Sequence, residues 1–142
     1  MIQIDTDWLL EALDDHDELV HHHLDTQTGE IRCVSDMFDS TEELEELYEQ
    51  MDESPGRWIT IDPYPSRDGF RIMEAFVEGL PDDEGRRTLQ RALSWKKPFS
   101  NFRDALREMP TLRDKWFAFH RERMIEVARE WLRVAGVDAE LV

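Results

Sequence analysis

The spacing of apolar residues changes character near residue 65. From Ser66 onward apolar positions recur every three or four residues; before it, helical stretches alternate with short segments that read as strands. Trp8, Leu9, Ala12 and Leu13 give a first helix over about 6–14, with Asp5 or Thr6 as its cap. Residues 19–25 and 30–34 then flank Thr26-Gln27-Thr28-Gly29, a four-residue turn with glycine where a positive φ is needed, and predict a β-hairpin. If Asp25 stands opposite Glu30, Leu24 faces Ile31 and His22 faces Cys33. Alternation then puts Val20, His22, Leu24, Ile31 and Cys33 on one face, with Cys33 buried mid-strand. His21, His23, Asp25 and Arg32 lie on a solvated opposite face.

Ser40-Thr41-Glu42-Glu43 is a capping box. The helix it opens carries Leu44, Leu47, Tyr48 and Met51 at helical spacing. Pro55-Gly56 interrupts the chain, residues 57–61 predict a third strand, and Pro63 and Pro65 end it. Four helices follow. The first is capped by Ser66 and presents Phe70, Met73, Phe76, Val77 and Leu80. The second is capped by Asp82, and the third begins near Pro98. The last runs from about Pro110 to Gly136, with an apolar face of Leu112, Trp116, His120, Met124, Val127, Trp131 and Val134. The expected fold is α+β: a small three-stranded antiparallel sheet, hairpin 19–34 plus strand 57–61, covered by helices and joined to a four-helix C-terminal cluster. It is read as one domain over 1–142, with an acidic part to about 65 and a helical part over 66–136.

Charge adds a second division. The net charge is −16. Residues 1–56 hold 18 Asp and Glu against one basic residue, Arg32, whereas residues 57–142 hold 15 acidic and 16 basic residues. An excess of −16 opposes general affinity for nucleic acid. A single cysteine, Cys33, excludes an internal disulfide and suits a reducing compartment. No apolar run approaches the roughly 18 residues of a membrane helix. A cytoplasmic protein with no membrane association is expected.

Several segments resemble a family of small bacterial proteins catalogued as uncharacterised protein family one-five-eight. They are the hairpin Leu24-Asp25-Thr26-Gln27-Thr28-Gly29-Glu30-Ile31, the helix from Ser66 through Gly69-Phe70 to Met73 and Phe76, and the turn Pro98-Phe99-Ser100-Asn101-Phe102. The late aromatic stretches Trp116-Phe117-Ala118-Phe119 and Ala128-Arg129-Glu130-Trp131-Leu132 complete the set. The resemblance implies a bacterial, cytoplasmic, single-domain protein and carries no catalytic residue or cofactor. Where relatives tend to have aromatics before Leu-Asp, this chain has His21-His22-His23.

Three surfaces are candidates for function. Glu42, Glu43, Glu45, Glu46 and Glu49 line one helix and suit a protein partner with a basic surface. Arg87 with Arg91, and Arg103 with Arg107, each share a helix face; with Trp95 and Lys96 they form a surface suited to RNA phosphates and a stacked base. His21, His23 and Asp25 offer two imidazoles and a carboxylate to a metal, a set that tetrahedral structural zinc exceeds by one ligand. Phosphate-loop, dinucleotide-binding, zincin and nucleophile-elbow signatures are missing, so no cofactor is expected. The reading that follows is a non-enzymatic interaction or regulatory protein acting through its acidic N-terminal face. The alternatives are a weak RNA-binding module using the Arg-rich C-terminal helices and an unrecognised enzyme with a metal at the His21/His23 strand.

Overall fold

The computed structural model describes residues 1–37 and 39–142. In chain order the elements are β1 (Ile2–Ile4), α1 (Thr6–Asp14), β2 (Val20–Asp25), β3 (Ile31–Ser35), α2 (Thr41–Glu53) and β4 (Trp58–Thr60). After them come α3 (Ser66–Glu78), α4 (Glu84–Leu93), α5 (Pro98–Arg107), α6 (Pro110–Ala135) and β5 (Ala139–Leu141). The class is α+β. The chain gathers into two compact units, one of residues 1–64 with 125–142, the other of residues 65–124.

The first unit is built on the antiparallel sheet β3-β2-β4. The hairpin has the register that the turn demands: Leu24 pairs with Ile31, His23 with Arg32 and His22 with Cys33. Gly29, at φ 83°, closes it by donating its N–H to the Asp25 carbonyl at 2.8 Å. On its other edge β2 pairs with β4, His23 against Thr60 and Asp25 against Trp58. α1 is capped by Asp5, whose carboxylate accepts from the Trp8 N–H at 3.1 Å. It buries Leu9, Ala12 and Leu13. α2 is capped by Ser40, whose Oγ accepts from the Glu43 N–H at 3.1 Å, and it buries Leu47 alone.

A second sheet lies outside the sequence expectation: β1 and β5 pair in parallel, Ile2 with Ala139 through Ile4 with Leu141. Its bonds continue past the strand ends, from the Thr6 N–H to the Val142 carbonyl and from the Val142 N–H to the Ile4 carbonyl. Ile-Gln-Ile and Ala-Glu-Leu each alternate apolar and polar, but three residues are too few to predict a strand.

The second unit packs α3, α4, α5 and the first half of α6 around Met73, Phe76, Val77, Leu89, Phe102 and Leu106. Trp116 stands edge-on to both Phe76 and Phe102, with ring centroids 5.4 and 4.9 Å apart. Such edge-to-face geometry adds to simple area burial. Three expectations need correction here. Ser66 is the first helical residue rather than a cap; Pro65 precedes it and no side chain caps α3. Asp83, not Asp82, caps α4, accepting from the Arg86 N–H at 3.2 Å. In α6 the buried line after Met124 runs through Ala128 and Leu132, at a strict step of four, and leaves Val134 72 % exposed. The expected stripe drifted by steps of three onto the solvent side.

Candidate functional site

β2 has a paired neighbour on each edge, and the burial of four consecutive residues, His22 to Asp25, shows that both of its faces are covered as well. That corrects the expected solvated face: His23 and Asp25 are buried, as are His22 and Leu24. His22 points toward the end of α1, where its Nε2 lies 2.8 Å from the Asp15 carboxylate. That contact holds the Asp15 carboxyl below the usual carboxylate range, with burial acting against it. On the opposite face His23 Nδ1 lies 3.2 Å from Thr60 Oγ1, and its ring meets Tyr48 of α2 edge-on at 5.8 Å. Burial lowers the His23 pKa, as do the neighbouring His21 and His22; Asp62 acts in the other direction. Asp25 receives a two-pronged guanidinium: Arg57 Nε donates to Oδ1 at 3.0 Å and Nη2 to Oδ2 at 2.8 Å. The Arg57 bonds bring the Asp25 carboxyl down to about 2.

The three proposed metal ligands are therefore drawn to separate partners. His21 goes to Asp36 at 3.0 Å, His23 to Thr60 and Asp25 to Arg57. No group of three or more His, Cys, Asp or Glu among the described residues is gathered as a metal would require. Cys33 is exposed, against the expectation of burial: on β3 the cover reaches Ile31 and Val34 but not the Cys33 position between them. Its thiol pKa is pushed up by partial shielding from water and by Asp15, Glu11 and Asp39. A raised thiol pKa is the reverse of what activates a nucleophile. The Asp15–His22 pair resembles the orienting half of a catalytic triad, but the thiol opposite it is held protonated.

Beside these groups a shallow cleft of about 280 Å³ is lined by Asp15, His16, Asp17, Glu18, His21, His22 and Asp62, with Val20, Ile61 and Pro63. Asp15 and Asp17 are partly spent on their own turn, accepting from the Asp17 and Leu19 N–H groups at 3.0 Å.

The five glutamates of α2 behave differently. Glu42, Glu43, Glu45, Glu46 and Glu49 are all exposed, and among the described residues none of them takes an ion pair. The first unit as a whole holds 23 Asp and Glu against four Lys and Arg, a charge of −19. The second holds ten against 13, or +3.

In the second unit, Arg87 and Arg91 share α4, and Arg103 and Arg107 share α5, as the spacing predicts. Arg87 lies 3.5 Å from Asp82, and Arg107 lies 3.4 Å from Asp104. Arg91, Arg103 and Lys96 have no carboxylate partner among the described residues, and Trp95 is 72 % exposed. Trp95 stands in the short link between α4 and α5, where the Ser-Trp-Lys-Lys-Pro run and the expected helix start near Pro98 place it. No helix among the described residues is long and apolar enough to cross a membrane.

The chain matches the family model described as Uncharacterised protein family (UPF0158) over residues 1–140. It is similar to a UPF0158 protein of Pseudomonas aeruginosa, 33 % identical over 129 residues, covering 91 % of this chain and 80 % of that one. A UPF0158 protein of Chlamydia trachomatis is 27 % identical over 126 residues, and one of Chlamydia muridarum is 26 % identical over 126. Each match covers 88 % of this chain but 38 % of the relative, so the chain spans well under half of the chlamydial proteins. No solved structure matches the chain. With its hairpin, capping box and late helices all inside the matched span, the chain belongs to the UPF0158 family, which has bacterial members.

Proposed function

We propose that the protein is an interaction or regulatory module that binds a partner with a basic surface through the outer face of α2. The observation that carries this reading is the state of Glu42, Glu43, Glu45, Glu46 and Glu49: exposed, on one helix, and in no ion pair among the described residues. Carboxylates not already paired lose no existing partner when a cation approaches, and a concentrated field of one sign speeds encounter with its complement. α2 buries only Leu47 fully, so most of its surface is available.

The test is binding of a Lys-rich peptide, read by fluorescence anisotropy, to the native protein and to the Glu42→Lys/Glu43→Lys/Glu45→Lys/Glu46→Lys variant. The native protein binds with an affinity that falls steeply with salt. The variant loses that binding. Equal binding by both proteins sinks the proposal.

A further inference from the structure

The stretch between Glu84 and Asp104 is the longest in the chain without an acidic residue, in a protein with 33 of them. At its middle, the link from α4 to α5 turns sharply. Lys97 takes the left-handed conformation at φ 56°, unusual for a residue other than glycine. Three bonds lock the turn. Ser94 Oγ donates to the Arg91 carbonyl at 2.9 Å, Asn101 Nδ2 donates to the Lys96 carbonyl at 2.7 Å, and the Asn101 N–H donates to the Lys97 carbonyl at 3.0 Å. Pro98 then starts α5. The result is a rigid turn holding Trp95 outward, 72 % exposed, with Phe99 next to it in sequence order along α5 at 42 %. Arg91, Lys96 and Lys97 surround Trp95 in the sequence. All three are exposed, and none is neutralised by a carboxylate among the described residues.

An aromatic ring held in water beside exposed cations by a bonded turn loses little ordering entropy when it binds. We infer that the Trp95 turn is a docking point for single-stranded nucleic acid, in which Trp95 stacks on a base while Arg91, Lys96 and Lys97 contact phosphates. The combination of an open aromatic face with unpaired cations is the one single strands use, since every base offers a π-face and every nucleotide a phosphate. Charges more than about 10 Å away are largely screened at 0.1 M salt, so the local composition governs the encounter despite a net charge of −16. This surface does not depend on the α2 proposal and uses none of its residues.

The experiment is anisotropy of a fluorescein-labelled ten-nucleotide oligouridylate at 50 mM salt, using the full chain. Trp95→Ala is expected to weaken binding about tenfold, the usual scale for losing one stacked base. Lys96→Ala/Lys97→Ala is expected to weaken it and to flatten the slope of log affinity against log salt by about 0.7 for each lost phosphate contact. All three positions are exposed, so the variants are expected to keep their fold, which circular dichroism checks. Absence of binding to the native protein, or binding that Trp95→Ala leaves unchanged, overturns the inference. So does tighter, Trp95-dependent binding to a poly-glutamate peptide or to phosphatidylserine vesicles, which would assign the turn to an acidic protein or a membrane surface.

Discussion

The two units of this chain reach stability by different means and leave different surfaces free. In the unit of residues 65–124, aromatic rings interlock: Phe76, Phe102, Trp116 and Phe119 pack with centroids 4.9 to 6.3 Å apart. In the unit built on β2, the core is aliphatic, around Leu9, Leu13, Leu24 and Ile61, and buried polar groups run through it: Asp25 with Arg57, His22 with Asp15, His23 with Thr60. The contrast extends outward. The aromatic unit, at +3, spends Arg87 and Arg107 on local carboxylates. The other, at −19, has far more carboxylates than its four cations can pair. Where self-neutralisation is arithmetically impossible, the surplus charge remains available to another molecule, and that is the physical basis for placing the partner site on α2.

The sharpest way to break the comparison is through the cores. Phe102→Ala should cost about 4 kcal/mol, since it removes a buried ring and leaves a cavity between helices. Native-state hydrogen exchange should report the loss across residues 65–124. Gly29→Ala should cost about 3 kcal/mol in the other unit: a Cβ there would sit 2.0 Å from the Gln3 carbonyl oxygen, at a φ of 83° that disfavours any side chain. Chemical denaturation measures both.

Buried polar groups give smaller, pH-dependent effects. Asp25→Asn removes the carboxylate that accepts both Arg57 bonds and should cost about 2 kcal/mol near neutral pH. The Asp25 pKa is depressed, so its contribution is present above about pH 4 and is lost as pH falls toward 2. His23 also has a lowered pKa, but as a base. Above about 6.5 it is neutral in folded and unfolded chains alike; as pH falls below that value the unfolded chain takes up the proton first and stability declines. His23→Gln should flatten the stability profile just below about pH 6.5, as followed by urea denaturation at stepped pH. If that profile is unchanged by the substitution, the imidazole is not held neutral against Tyr48 and Thr60. Smallest of all, Glu45→Lys/Glu46→Lys should leave stability within about 0.5 kcal/mol per substitution, because exposed charges contribute little to the fold, whereas Glu42→Lys and Glu43→Lys, in the first turn of α2, should each cost up to about 1 kcal/mol by opposing the helix dipole.

How much was legible in the sequence follows the range of the interaction involved. The α1 cap, the hairpin register and the Ser40 capping box are set within four to ten residues, and composition declares them. The β1–β5 pairing joins strands of only three residues at the two ends of the described chain; Ile-Gln-Ile and Ala-Glu-Leu do alternate, but three positions are too few to mark a strand or to name its partner. Alternation put His23 and Asp25 on one face of β2 correctly but not their burial, since the cover comes from Tyr48 and Arg57, 25 and 32 residues away. For the candidate surfaces, the acidic face of α2 was readable because a helix with glutamate at 42, 43, 45, 46 and 49 has nowhere to hide them. Which arginines lack a carboxylate partner was not, because that depends on rotamers that bring Arg87 to Asp82 and Arg107 to Asp104 but turn Arg91 to Thr88, with no carboxylate partner among the described residues.

The most direct test of the α2 surface compares two charge reversals of equal size in a low-salt pull-down from nuclease-treated bacterial lysate. One is Glu42→Lys/Glu43→Lys/Glu45→Lys/Glu46→Lys; the other is Glu74→Lys/Glu78→Lys/Asp114→Lys/Glu122→Lys, at exposed positions of the aromatic unit. A basic protein retained by the native chain and by the second variant, but lost by the first, is the predicted result. Equal loss with both variants would reduce the effect to net charge, and equal retention with both would contradict the assignment of α2 as the binding face.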